Sequence, residues 1–243
     1  MKKNISLLLV MLAALSLVAC GKSDTQGNPK DSGQMKGQTE QAEEQKVKEP
    51  ETNGSESKQT EQNGEKKILV AYFSWAENAK QDDIDAMTSP SVTEPGNVAQ
   101  LASWVSGETG GDLFSIQVKE PYPADWDGCL ERANQEKEDN THPALRNTVE
   151  NIEEYDTVYL GYPNWWYSCP MALLSFFDEH DLSGKQVYLF CSHGTGGLAD
   201  SVNDISKAIP DAKISDTVFD VYEEDAASAK DEIVEWVKNL SVD

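Results

Sequence analysis

Basic residues are scarce in this chain: 20 Lys and Arg stand against 43 Asp and Glu, giving a formal net charge of −23. That balance excludes nucleic acid and anionic lipid surfaces as partners, since both require neutralising cations. It suits solubility and the steering of a basic partner. Histidines number only three, His142, His180 and His193, without a His-x-x-x-His pair or a Cys-rich ligand set, so a metal centre is not expected. No Gly-x-Ser-x-Gly elbow occurs, which excludes α/β-hydrolase chemistry. Cysteine is sparse and no C-x-x-C is present. After Cys20 the remaining Cys129, Cys169 and Cys191 give no even framework and read as buried thiols, with one pairing left open. No apolar run reaches the roughly 20 residues of a spanning helix.

The longest apolar run lies at the start. Lys2 and Lys3 precede an uncharged stretch from Ile5 to Val18, followed by Leu17-Val18-Ala19-Cys20. This is the layout of a secretory signal, and its last four residues resemble a bacterial lipobox. The expectation is a lipoprotein signal peptide over 1–20, lipidation at Cys20, and an extracytoplasmic protein held to the membrane by its lipid anchor alone. A plain signal peptide with an incidental cysteine is the alternative. Residues 21–66 are Gly, Ser, Thr, Asn, Gln, Lys and Glu with few apolar interruptions, too little to offset ordering entropy. They are expected to form a disordered polar tether reaching roughly 35–40 Å as a random coil.

The globular part is 67–243. Ile68 to Phe73 is continuously apolar, as expected of a strand buried on both faces. Short runs recur at Leu113 to Val118, Thr157 to Gly161, Val187 to Cys191 and Ile214 to Phe219. Between them lie helical stripes: Val98, Leu101, Ala102 and Val105; Met171, Leu174 and Phe177; Val202, Ile205 and Ile209; Ile233, Val234, Val237 and Leu240. Strands alternating with helices predict an α/β fold, a doubly wound three-layer α/β/α sandwich on a five-stranded parallel sheet. The connection from Ser74 to Gly96, about twenty residues where a few suffice, hints at function.

In such a sheet of order 2-1-3-4-5, ligands bind beyond the strand ends where the order reverses, so the loops after strands one, three and four matter. After strand one, Ser74 and then Gly96-Asn97-Val98 open a helix, and free backbone N–H groups with the helix dipole favour an anion there. A simple helix cap also explains a Gly-Asn step. After strand three come Pro163, Asn164, Trp165, Trp166 and Tyr167, with Pro170 set to start the next helix. Clustered aromatics in a loop suit a planar heterocycle, or alternatively a protein partner. After strand four come Ser192, His193, Gly194, Thr195, Gly196 and Gly197, where glycines let the backbone approach a flat ligand, or form only a flexible turn.

On the Ile68-to-Ser74 strand, the Gly161-Tyr162-Pro163-Asn164-Trp165-Trp166 stretch and Phe190-Cys191-Ser192-His193-Gly194, the whole of 67–243 resembles the short-chain flavodoxin-like family. The resemblance implies a flavodoxin-like order 2-1-3-4-5 and noncovalent FMN. Ser74, Gly96 and Asn97 would face the phosphate; Pro163, Asn164, Trp165, Trp166, Ser192, His193, Gly194 and Gly197 would surround the isoalloxazine, with Tyr167 beside them. The family's phosphate loop is a compact Thr/Ser-rich turn with Gly-Asn-Thr, whereas here the turn is interrupted and Val98 stands at the threonine position. A lost charge-assisted hydrogen bond is worth on the order of 1.5–3 kcal/mol, about tenfold or more in affinity. Thr93 or Ser91 is placed to replace it.

Receiver and low-molecular-weight phosphatase chemistry, which share this strand order, fail on residues: Ser74-Trp75 and Asn164-Trp165 replace the receiver acids, and Gly197 stands where the phosphatase arginine would follow Cys191. Two functions remain. One is an FMN-dependent electron carrier or oxidoreductase, exchanging electrons with a redox partner protein, a quinone or reduced nicotinamide, with His193 as a candidate proton donor or hydrogen-bond partner of the flavin. The other is a binding module that has lost FMN and grips a protein or small molecule with the aromatic loop.

Overall fold

The computed structural model describes residues 67–81 and 89–240; the expected signal peptide, Cys20 and the tether over 21–66 lie outside the described residues. The chain runs β1 (Lys67–Tyr72), α1 (Trp75–Asn78), α2 (Asn97–Thr109), β2 (Asp112–Ser115), α3 (Trp126–Glu138), β3 (Tyr155–Pro163) and α4 (Met171–Glu179). It continues through β4 (Gln186–His193), α5 (Ser201–Ala208), β5 (Lys213–Ile214), β6 (Phe219–Tyr222) and α6 (Lys230–Leu240). The pairings are all parallel, in the order β2-β1-β3-β4-β5, with β6 also on β4. No helix among the described residues is long and apolar enough to cross a membrane.

The sheet is wet on neither face at its centre. Leu69, Ala71 and Phe73 point into one core with Val158, Leu160, Tyr162, Leu189 and Cys191, under α3, α4 and α5. Val70 and Tyr72 point the other way, joining Tyr159 and Phe190 beneath α2 and α6. Period-two alternation in unbroken apolar strands thus builds both cores of a three-layer sandwich. α2 buries Val98, Leu101, Ala102 and Val105, as their spacing predicts, and ends on Gly110 in the left-handed region at φ 70°.

Three expectations are corrected. The strand predicted from Ile214 to Phe219 is two segments, because Ser215 Oγ accepts the N–H of Thr217 at 3.1 Å and turns the chain out of the ladder. Both segments still lie on β4, at Gln186–Val187 and at Phe190–His193, so the fifth position of the sheet is filled. α4 buries Ala172, Leu173 and Phe176 deepest, with Leu174 and Phe177 only partly covered. This helix is apolar nearly all round, so spacing alone does not select its inner face. α6 buries Trp236 beside Ile233 and Val237, where Val234 was expected.

Cys129, Cys169 and Cys191 are all buried and free. Burial pushes the Cys169 thiol up to about 12 and raises those of Cys129 and Cys191 further. In a Cys20→Ser chain, a thiol-reactive probe at pH 8 is expected to modify none of the three in native protein and all three in denaturant. A fast-reacting native thiol would contradict their burial.

Candidate functional site

The carboxyl ends of β1, β3 and β4 meet at a cleft of ≈ 200 Å³. Pro163, Asn164, Trp165, Trp166 and Tyr167 from the β3 loop line it, with Ser192, His193 and Gly194 from β4. Trp75, Ser89, Ser91, Trp126, Thr195, Gly196 and Glu223 complete the wall. No lysine or arginine among the described residues lines it.

The β3 loop is a two-residue hairpin. Trp165 N–H donates to Ser168 O at 2.9 Å, and Ser168 N–H donates back to Trp165 O at 3.0 Å. Its central residues, Trp166 and Tyr167, both lie at positive φ, 49° and 64°. Type I′ turns of this kind ordinarily carry Asn-Gly, because a β-carbon in the left-handed region costs roughly 1–2 kcal/mol. The strain is accepted where two aromatics are presented, a pattern typical of binding sites. Asn164 anchors the turn, donating its N–H to Ser192 O at 2.9 Å and Nδ2 to Gly197 O at 2.7 Å.

The aromatics divide into wall and lip. Trp165 is only 8% exposed and packs edge-on against Phe73, Tyr122 and Trp75, with centroids 5.2, 5.0 and 6.1 Å away. It belongs to the core as much as to the cleft. Trp166 tilts against Trp165 and Trp126. Tyr167 is 67% exposed, its ring over Gly196, where an added Cβ would come within 3.4 Å of it.

His193 has both ring nitrogens engaged: Nδ1 lies 2.7 Å from Gly194 O and Nε2 lies 2.9 Å from Asp220 Oδ2. A proton-donating role would require one of these bonds to break, so the ring is first a fastener between β4 and β6.

The opening of α2 forms a second end of the site. Ser74 is 1% exposed and its Oγ is buried without a hydrogen-bond partner. It faces Gly96, where a Cβ would overlap Ser74 Oγ and approach Ala76 Cβ to 2.9 Å. Gly96, the N-cap of α2, borders a separate hollow of ≈ 500 Å³ with Glu77, Glu94 and Pro95 rather than the aromatic cleft. Asn97 Nδ2 donates to Glu223 O at 2.8 Å and reaches the hydroxyls of Ser91 and Ser192, each at 3.3 Å. Val98 turns its side chain into the α2 core, its Cγ1 3.0 Å from where a Cβ on Gly161 would stand, so only its backbone serves the helix opening. Gly197 stands outside the cleft lining at φ 59°, accepting from Asn164.

Of the two hydroxyls suggested as replacements, Ser91 enters the cleft while Thr93 Oγ1 donates to its own turn at Pro90 O, 2.8 Å away. Ser89 and Glu223 had not been anticipated. Ser89 Oγ donates to Glu223 Oε2 at 2.7 Å and Ser91 Oγ to the same oxygen at 3.3 Å. Trp75 directly follows Ser74 and could have been read from the loop; Trp126, from the head of α3, carried no local signal.

The family model described as Flavodoxin matches residues 67–240. A protein of Bacteroides eggerthii DSM 20697, described as a candidate flavoprotein, is 28% identical, the match covering 74% of this chain and 100% of that one at a TM-score of 0.56. A similarly described protein of Bacteroides uniformis ATCC 8492 is 24% identical over 71% of this chain and 98% of its own, at a TM-score of 0.55. No curated protein matches. With a family match spanning both cores and all three loops at the strand ends, the chain belongs to the flavodoxin family.

Proposed function

We propose that this chain binds FMN noncovalently and serves as an electron carrier or oxidoreductase, anchored outside the cytoplasm through a lipid on Cys20. The observation that carries the cofactor assignment is the pair Ser74 and Gly96. A buried hydroxyl without a partner is costly unless a ligand completes it. Here it packs against a glycine, in the space a Cβ there would take, at the head of a 13-residue helix. That is the chemistry of a phosphate seat. The residues fit the group at the other end too, where Trp166, Tyr167 and the Gly194–Gly196 backbone offer flat surfaces to a tricyclic ring.

When bound, FMN supplies one- and two-electron redox chemistry. The chain's own contribution is placement and exclusion. Ser74, Gly96 and Asn97 would hold the phosphate; Asn164, Ser192 and Gly194 would present polar edges to the ring; Trp165 and Trp75 keep the floor dry. The acidic surface favours a basic protein as exchange partner over anionic lipid, with a quinone or reduced nicotinamide as alternatives. The signal of 1–20 and the tether of 21–66 supply the anchoring part of the proposal.

One observation favours a second reading, a binding module without FMN: the Glu223 carboxylate already holds the hydroxyls of Ser89 and Ser91 in a cleft that no lysine or arginine among the described residues lines. A fluorescence titration separates the two. The chain is expected to quench FMN saturably at low micromolar concentration or tighter, and absence of quenching would sink the flavin assignment.

Gly96→Ala is expected to lower stability by about 1–3 kcal/mol through overpacking and to weaken FMN. Adding Ser74→Ala should restore part of the stability but not the affinity, measured by denaturant melts and titration of the double variant. Conversely, Tyr167→Gly relieves the turn at an exposed position. It should raise stability by about 1 kcal/mol while loosening FMN, and unchanged affinity would remove the Tyr167 ring from the site.

A further inference from the structure

Glu223 is fixed by its backbone and reaches the aromatic cleft with its side chain. Its N–H donates to His193 O at 2.8 Å, and its own carbonyl accepts from Asn97 Nδ2 at 2.8 Å. The residue thus ties the end of β4 to the start of α2. Its carboxylate lines the cleft beside Gly194, with Oε1 3.5 Å from where a Cβ on that glycine would be. Oε2 is occupied by the hydroxyls of Ser89 and Ser91. Oε1 accepts from no donor among the described residues.

This stretch of wall accepts hydrogen bonds and has its protons already in use. Ser89 and Ser91 each direct their one hydroxyl proton to Glu223, which leaves lone pairs on both oxygens and on Oε1. The Asn97 amide is taken up by Glu223 O and the oxygens of Ser91 and Ser192. An occupant has to bring the protons. A phosphate dianion has none to give, and its seat is the separate hollow at Ser74 and Gly96. Aliphatic hydroxyls do donate, and in a flavin nucleotide a chain of them joins the ring to the phosphate. Glu223 occupies the corresponding place: it is bonded to the residue before Gly194 at the ring wall and to the residue after Gly96 at the phosphate seat.

We propose that Glu223 is a specificity-determining residue for the hydroxyl chain of the flavin: Oε1 accepts from a ribityl hydroxyl, while Ser89 and Ser91 hold the carboxylate in place. The phosphate is left to Ser74 and Gly96, and the ring to the aromatic lip. This deepens the flavin reading above and rests on it. An ionised acceptor makes a stronger hydrogen bond than a neutral one, so both the oxygen and its charge contribute.

The test titrates the full chain, Glu223→Ala and Glu223→Gln with lumiflavin, riboflavin and FMN, following flavin fluorescence. Lumiflavin carries the ring alone, riboflavin adds the hydroxyl chain, and FMN adds the phosphate. The unaltered chain is expected to bind riboflavin at least about tenfold more tightly than lumiflavin. Glu223→Ala should weaken riboflavin and FMN alike by about tenfold and change lumiflavin by less than about twofold. Glu223→Gln, which keeps an oxygen but not its charge, should fall between. Retained lumiflavin binding shows that the cleft of each variant is still formed. An equal loss for all three flavins would place Glu223 against the ring or in the support of the fold, and would overturn the proposal. So would unchanged riboflavin in Glu223→Ala, or FMN tightened there while riboflavin stays the same. Lumiflavin binding without a preference for riboflavin sinks this proposal alone; if no flavin binds the unaltered chain, the flavin reading falls and takes the proposal with it.

Discussion

The burial of the central strands on both faces is the constraint from which the other features follow. β1, β3 and β4 present Leu69, Ala71, Val158, Leu160 and Leu189 to one core and Val70, Tyr159 and Phe190 to the other. A sheet dry on both sides leaves polar chemistry only at its edges and ends. The right-handed crossovers then send α2 and α6 to one face and α3, α4 and α5 to the other, splitting the connections at the carboxyl ends of β1 and β3. The cleft occupies that split, and its polar groups end a strand, as Ser192 and His193 end β4, follow one, as Asn164 and Glu223 do, or stand on a loop beside them.

The site is consequently built in two parts with different physics. Its aromatic floor is continuous with the core, Trp165 sharing ring contacts with Phe73 and Tyr122, so its shape is as rigid as the packing beneath it. Its polar end is a set of serine hydroxyls, an asparagine amide and a carboxylate, cross-linked through Asn97 and Glu223. The first part answers to shape and the second to charge. Tyr167 at the lip is shaped by neither; its place is set by a strained turn.

Much of this was legible in the sequence where the signal is local. Unbroken apolar runs located the strands, the stripe of Val98, Leu101, Ala102 and Val105 gave a helix its inner face, and Pro163 to Tyr167 with Ser192 to Gly194 marked two of the walls. What escaped is non-local. Glu223 meets Ser89 across more than half the domain, and no spacing rule links a residue after β6 to a turn before α2. Trp165 reads in a list of loop residues as a ligand platform; only the edge contacts with Phe73 and Tyr122 show that it also closes the core. The interruption between β5 and β6 depends on one serine hydroxyl competing for a backbone N–H, below the resolution of β-propensity.

Four of the six tryptophans form a closed circuit around the cleft. Trp75 touches Trp126 and Trp165, and Trp166 touches Trp165 and Trp126, with centroids between 5.4 and 6.4 Å. Indoles at that separation do not absorb or emit independently; their transition dipoles couple, and excitation of one migrates among all four. The wall of the cleft is thus a single chromophore in effect, its near-ultraviolet circular dichroism a signature of the turn at Trp166 and of whatever lies against it. An occupant needs no colour of its own to be seen there.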